Sequence, residues 1–137
     1  MNIIVDAFGG DHAPLEVIKG GAMAVSDLNV NVTLVGDEKI IRELAEENNI
    51  SLDGMDIIHT KKSFDIHEEP VSLIKEHKDS SMAVGMKALS ENKGDAFVSA
   101  GSSGALVVGS TFIVKRIKGI KRVALACCQL STPFCND

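Results

Sequence analysis

Gly9-Gly10-Asp11-His12-Ala13-Pro14 joins two glycines, a carboxylate, an imidazole and a proline in six residues. The glycines permit backbone angles closed to other residues, so a bound group can approach the main chain closely. Beyond Pro14 the apolar spacing turns helical. A helix N-terminus offers free N–H groups and a positive dipole to a phosphate or carboxylate. His12 could donate to a phosphoryl oxygen or move a proton, and Asp6 and Asp11 add carboxylates. A second reading of the same residues is equally open: a tight strand-to-helix turn with Asp11 as cap.

Ser99-Ala100-Gly101-Ser102-Ser103-Gly104 is the other small-residue stretch between a strand pattern and a helix pattern. Successive N–H groups there can form an anion nest, and three hydroxyls can add hydrogen bonds. The plainer alternative is a turn whose Gly104 allows close helix packing; strand before and helix after favour anion binding. Lys78-Asp79-Ser80-Ser81-Met82 puts a lysine and two serines at a helix start, where they could grip a phosphate. Asp and Ser are also ordinary N-cap residues, and spacing alone favours capping. Neither glycine stretch is G-x-G-x-x-G, and no G-x-x-x-x-G-K-[ST] occurs, so dinucleotide and P-loop nucleotide binding lose their main support. No Ser/His/Asp triad or catalytic acid pair can be assembled. His59, His67 and His77 lack metal-ligand spacing and suit surface or capping positions. The methionines at helical spacing suit a core.

The elements that must position these residues alternate between short β-rich runs and helical periods. Asn2 to Ala7, Asn31 to Val35, Met55 to His59 and Ala96 to Ser99 read as strands, and Arg122 to Ala126 starts a fifth. Leu15, Ile18, Ala22, Val25 and Leu28 mark one helix after Pro14, which suits a first turn. Ile40, Ile41, Leu44 and Ala45 mark the next, with Asp37 able to cap it. Pro70 opens a short helical segment from Val71 to about His77. Asp79 or Ser80 can cap a helix holding Met82, Met86 and Leu89, and a last one runs from about Leu106 to Val114. Alternating strand and helix predicts an α/β fold with a mostly parallel sheet and helices on both faces, a three-layer sandwich. A domain ending in its fifth strand looks incomplete.

With 137 residues, 45% apolar and 24% charged, the chain suits one globular domain and excludes disordered, collagen-like and disulfide-scaffold classes. No run approaches the roughly 18 apolar residues of a membrane span, and Asp6 ends the first apolar run too early for a secretory signal, so a cytoplasmic location is expected. The net charge of -5 and the absence of Trp and Tyr argue against nucleic-acid binding. Charge is uneven: Asp37 to Asp56 holds seven acidic and two basic residues, while Lys115 to Arg122 holds five basic and no acidic ones. That basic run could attract an acidic partner or an anionic membrane surface, or be a solvated turn. Cys127, Cys128 and Cys135 all fall in the last eleven residues, with no C-x-x-C and no nearby histidine, so no metal site is expected.

Taken in order, these segments resemble the PlsX family, the acyl-carrier-protein-dependent phosphate acyltransferases of bacterial phospholipid synthesis. The resemblance lies in Val5 to Pro14, Leu34-Val35-Gly36-Asp37-Glu38, Glu68-Glu69-Pro70-Val71, Lys78 to Met82 and Val98-Ser99-Ala100-Gly101. Phe112-Ile113-Val114 and Arg116-Ile117-Lys118-Gly119-Ile120 continue it, so that it covers residues 1 to about 126. The chain departs from the family where Gly-Asn-Thr-Gly is usual and Gly101-Ser102-Ser103-Gly104 stands, and where proline is usual and Val123 stands. After Ala126 the match fails, and the stretch 127–137 reads as a truncated or frame-shifted end.

The resemblance implies a fold like that of the isocitrate/isopropylmalate dehydrogenases. It implies attack of inorganic phosphate on acyl-[acyl carrier protein], giving acyl phosphate and free carrier protein, without a cofactor. It also implies a homodimer at full length, with peripheral membrane association one option. Gly9, Gly10, Asp11 and His12 would form one wall of the site, and Lys78, Ser80, Ser81, Gly101, Ser102, Ser103 and Gly104 the other. His12, Asp11 and Lys78 would be the catalytic candidates. A non-catalytic phospho-ligand-binding domain and a phosphotransacetylase-like enzyme acting on acyl-CoA are the alternatives.

Overall fold

Ile/Val runs and three-to-four-residue apolar spacings fold into four parallel strands, each followed by a helix, in the computed structural model, which describes residues 1–124 and Ala126. Along the chain come β1 (Asn2–Asp6), α1 (Leu15–Leu28), β2 (Asn31–Gly36), α2 (Glu38–Glu47), β3 (Met55–His59), a 3-10 turn (Pro70–Ile74), α3 (Ser81–Ser90), β4 (Ala96–Val98) and α4 (Ser103–Gly109). A π-helical turn (Ser110–Val114) continues α4. Among the described residues no helix is long and apolar enough to cross a membrane.

The strand order is β3-β2-β1-β4, with Val5 paired to Leu34 on one side and Val98 on the other. Strand side chains alternate between faces. Val32 and Leu34 are buried with Ile18 of α1 and Ile41 and Ala45 of α2. Ile4 and Val35 are buried on the opposite face with Ala88 of α3. Right-handed crossovers account for the layers: the steps β1 to β2 to β3 run one way with α1 and α2 on one face, and the return to β4 carries α3 across the other. The α4 helix packs on α3 through a cluster containing Leu73, Met82, Met86 and Ala105. This is the three-layer α/β arrangement expected from the alternation of elements.

Helix starts follow their cap chemistry, with two corrections. Asp37 accepts the Lys39 N–H at 3.0 Å, and Ser80 rather than Asp79 caps α3. Asp11 does not cap α1, whose N-cap position is Pro14 and has no side-chain cap. It lies three residues too early to reach the first-turn N–H groups, and main-chain oxygens of His12 and Pro14 accept from Glu16 and Ile18 instead. The fifth strand is the other correction: residues 122–124 and Ala126 are exposed and belong to no strand, because no described strand borders them with free N–H and C=O groups. Leu125 and the cysteine-bearing stretch 127–137 lie outside the described residues.

Close approach of α3 to β4 depends on Gly85, where a Cβ would fall 2.3 Å from Phe97 Cε2. Gly85→Ala should therefore destabilise the fold by about 1–3 kcal/mol in urea titration, despite the better helix propensity of alanine. Combining it with Phe97→Leu should recover part of that loss.

Candidate functional site

Because β1 and β4 are neighbours in a parallel sheet, the loops leaving their carboxyl ends meet. Asp6, at the end of β1, is only 2% exposed. Its Oδ1 accepts the Phe8 N–H at 3.2 Å, and its Oδ2 accepts the Ser99 hydroxyl at 2.8 Å. Ser99 Oγ accepts in turn from the Gly101 N–H at 3.0 Å. Gly9 lies against this pair, since a Cβ there would sit 2.6 Å from both Asp6 Oδ2 and Ser99 Oγ. Gly10 has φ +111°, a left-handed conformation that favours glycine, and its absent Cβ would be 3.0 Å from Ala100 Cβ. The two loops thus close on each other through small residues and one buried carboxylate.

Gly9, Gly10, Asp11, His12 and Ala100 line a hollow of about 360 Å³, with Ala13, Glu16 and Val17 completing it. Asp11 and His12 are exposed. Among the described residues the N–H groups of Gly10, Asp11 and His12 donate to no protein acceptor, whereas Ala13 donates to Gly10 O at 3.2 Å. With no side-chain cap on α1, the positive end of that helix also borders the hollow. Donors, a helix dipole and an imidazole together suit an anionic ligand, with His12 placed to orient it or transfer a proton. Two carboxylates oppose this, but Glu16 is paired with Lys19 at 2.8 Å.

The other expected residues are distributed differently. Ser80 is fully buried and its hydroxyl is committed, donating to His77 O at 2.7 Å and accepting from the Ala83 N–H at 3.4 Å. Ser81 is 1% exposed, and its hydroxyl has no partner among the described residues. Ser102 caps α4 by accepting the Ala105 N–H at 3.3 Å. Ser103 and Gly104 form the first turn of that helix, where a Cβ on Gly104 would meet Pro70 Cγ at 2.8 Å. Lys78 does not line the His12 hollow; with Lys87, Ile74, Phe112 and Ile113 it lines another, of about 430 Å³. Its neighbour Asp79 pairs with Lys62 at 2.8 Å, and that hydrogen bond holds the Asp79 carboxyl below its ordinary value.

The structure therefore gathers Gly9, Gly10, Asp11 and His12, and couples them to Gly101 through Asp6 and Ser99. That coupling is the feature sequence reasoning missed. Its only signal was an Asp and a Ser at the ends of two strand patterns, and strand order was needed to pair them. The basic run Lys115 to Arg122 is exposed throughout, with Arg116 donating to the Lys121 carbonyl across the turn.

A family model described as fatty acid synthesis protein matches residues 1–133. A protein named phosphate acyltransferase from Caldicellulosiruptor bescii is 46% identical over 126 residues, covering 91% of this chain and 38% of its own length. One of the same name from Thermoanaerobacterium thermosaccharolyticum is 44% identical over 126 residues, covering 92% and 37%. Another from Clostridioides difficile is 36% identical over 125 residues, covering 91% and 37%. This chain spans less than two-fifths of the length of these curated relatives.

Ser99→Ala removes one donor from Asp6 and the acceptor of the Gly101 N–H. It should cost about 1–3 kcal/mol in chemical denaturation, because both groups are left partly unsatisfied in a buried place. Lys62→Met should raise the Asp79 pKa toward its ordinary value, followed by carboxyl NMR. The sign follows from the depressed folded-state value: the pair's contribution is present above the unfolded carboxylate pKa and is lost as pH falls through the folded one. Since both side chains are exposed, global stability should hardly change.

Proposed function

This chain belongs to the fatty acid synthesis protein family, and from that premise we propose that a full-length protein carrying it transfers the acyl group of acyl-[acyl carrier protein] to inorganic phosphate. The observation that carries the reading is the set of uncommitted N–H groups at Gly10, Asp11 and His12, beside an exposed imidazole and the uncapped start of α1. The relatives' printed name, phosphate acyltransferase, agrees with it.

In this reaction a phosphate oxygen attacks the thioester carbonyl carbon, the C–S bond breaks, and the carrier thiolate leaves and takes up a proton. The main-chain donors of the first loop hold the phosphate, and His12 orients it or protonates the leaving thiolate. Asp11 lines the same hollow and is assigned with His12 to the reacting groups. The loop Gly101-Ser102-Ser103-Gly104 forms the neighbouring wall, its position fixed by Asp6 and Ser99. Ser80 and Ser81, at the start of α3, are assigned to this wall as well: Ser80 caps the helix, and the buried Ser81 hydroxyl has no partner among the described residues. Lys78 belongs to a different hollow, so its contribution is assigned to substrate docking rather than to the reacting atoms.

The acidic carrier protein docks on the basic turn, where Ile117 is 80% exposed and Ile120 55%. Cations flanking exposed apolar side chains also suit a membrane surface, which makes peripheral association part of the reading. The working unit is a homodimer in the cytoplasm.

A chimera joining residues 1–126 to the remainder of the Caldicellulosiruptor bescii relative tests the proposal. Free carrier protein and acyl phosphate should form only when phosphate is supplied. Phosphate-independent thioester cleavage would make it a thioesterase. Phosphate binding without turnover would make it a binding domain, and preference for acyl-CoA a phosphotransacetylase-like enzyme. His12→Ala should lower kcat by about 10²–10⁴-fold if the imidazole moves a proton. Replacing Lys115, Arg116, Lys118 and Lys121 together with Gln should raise KM for the carrier protein and leave kcat unchanged, an effect that fades at high salt.

A further inference from the structure

Two lysines stand beside apolar side chains at α3 without a counterion. Lys78, in the turn before α3, and Lys87, in its second half, are both exposed. Neither makes an ion pair among the described residues. On one side they share a hollow with Asp79 and Glu91, but those carboxylates are already paired, with Lys62 and Lys93, each at 2.8 Å. On the other side they share a hollow of about 430 Å³ with Ile74, Ala83, Phe112 and Ile113, and no acidic residue lines it. Phe112 is 62% exposed there and lies on the π-helical turn after α4. Such turns are rare and recur at functional sites.

The chemistry of this lining is the reverse of that at His12. It has unpaired cations and an apolar wall where the other hollow has main-chain donors and carboxylates. A small anion alone would gain little from two exposed lysines in water. An apolar chain alone would leave both cations unused. A ligand that carries both features gains from each, because its chain displaces water from Phe112 and Ile113 and the drier surroundings strengthen the ionic contact. Lysine suits such a ligand, since its stem can lie along apolar surface while the ammonium reaches the charge. We propose that the hollow beside Lys78 and Lys87 binds a long-chain carboxylate, with its head group on the two lysines and its chain against Ile74, Phe112 and Ile113. The site shares no lining residue with the His12 hollow, so the inference does not depend on the proposed reaction.

An amide NMR titration of this chain with dodecanoate, kept below its micelle concentration, tests it. Saturable shifts should appear at residues 74–78, 83–87 and 112–113, and not at 9–12. Replacing Lys78 and Lys87 together with Gln should weaken binding roughly tenfold or more, whereas replacing both with Arg should retain it. Dodecanol, with the chain but no charge, should bind more weakly by a similar factor, and acetate, with the charge but no chain, should not bind. Phe112→Ser should weaken dodecanoate binding as well. Equal binding of dodecanol, or an unchanged affinity of the double Gln variant, would reduce the hollow to a plain apolar patch and overturn the proposal. Shifts centred on Lys115 to Arg122 would overturn it too, by placing the amphiphile on the basic turn. The same titration on the chimera should give the same shifts. Their absence there would assign the hollow to later polypeptide and overturn the proposal equally.

Discussion

A carboxylate at the end of a central parallel strand must be hydrogen-bonded if it is to be buried, and Asp6 meets that demand from two directions. Phe8 N–H supplies one donor from its own loop, and Ser99 supplies the other from the loop after β4. The two loops are thereby held at a fixed separation. Everything packed between them must then be small: Gly9 has no room for a Cβ, and a Cβ on Gly10 would fall 3.0 Å from that of Ala100. The glycines that make a phosphate site plausible are thus required by the fold before any ligand enters. A preformed loop needs little reordering on binding, so the structural demand and the proposed binding role reinforce each other.

The second constraint is directional. Parallel strands joined by right-handed crossovers put every helix start at the carboxyl edge of the sheet, so the ends of α1, α3 and α4 crowd the same rim. They are not all treated alike. α3 and α4 are closed by Ser80 and Ser102, whereas α1 has no side-chain cap. That asymmetry singles out the β1–α1 loop as the place where main-chain donors remain uncommitted.

Much of this was legible in the residues. Short β-rich runs located all four strands within one residue at each end, although only β1 and β2 hold fully buried residues. The Asp37 cap was equally plain. Strand order was not legible, since it depends on crossover direction rather than on local pattern, and with it went the Asp6–Ser99 pair. The expected fifth strand failed for a related reason: Arg122 to Ala126 has β-forming residues, but a strand exists only against a neighbour. The family resemblance groups Lys78 with the glycine loops, yet it lines the hollow shared with Lys87 and Phe112. Sequence proximity to a capping serine carried no information about which side of α3 it would occupy.

Charge balance at the His12 hollow takes the argument one step further. Its lining contains Asp11 and Glu16 but no lysine or arginine, and only Glu16 is neutralised, by Lys19. A phosphate dianion held there by three N–H groups and a helix dipole would still feel the Asp11 carboxylate nearby. Each of those donors can contribute a charge-assisted hydrogen bond, but a like charge in a partly enclosed hollow subtracts from their sum. For the proposed reaction the compensating cation has to come from outside the hollow, because no lysine or arginine lines it.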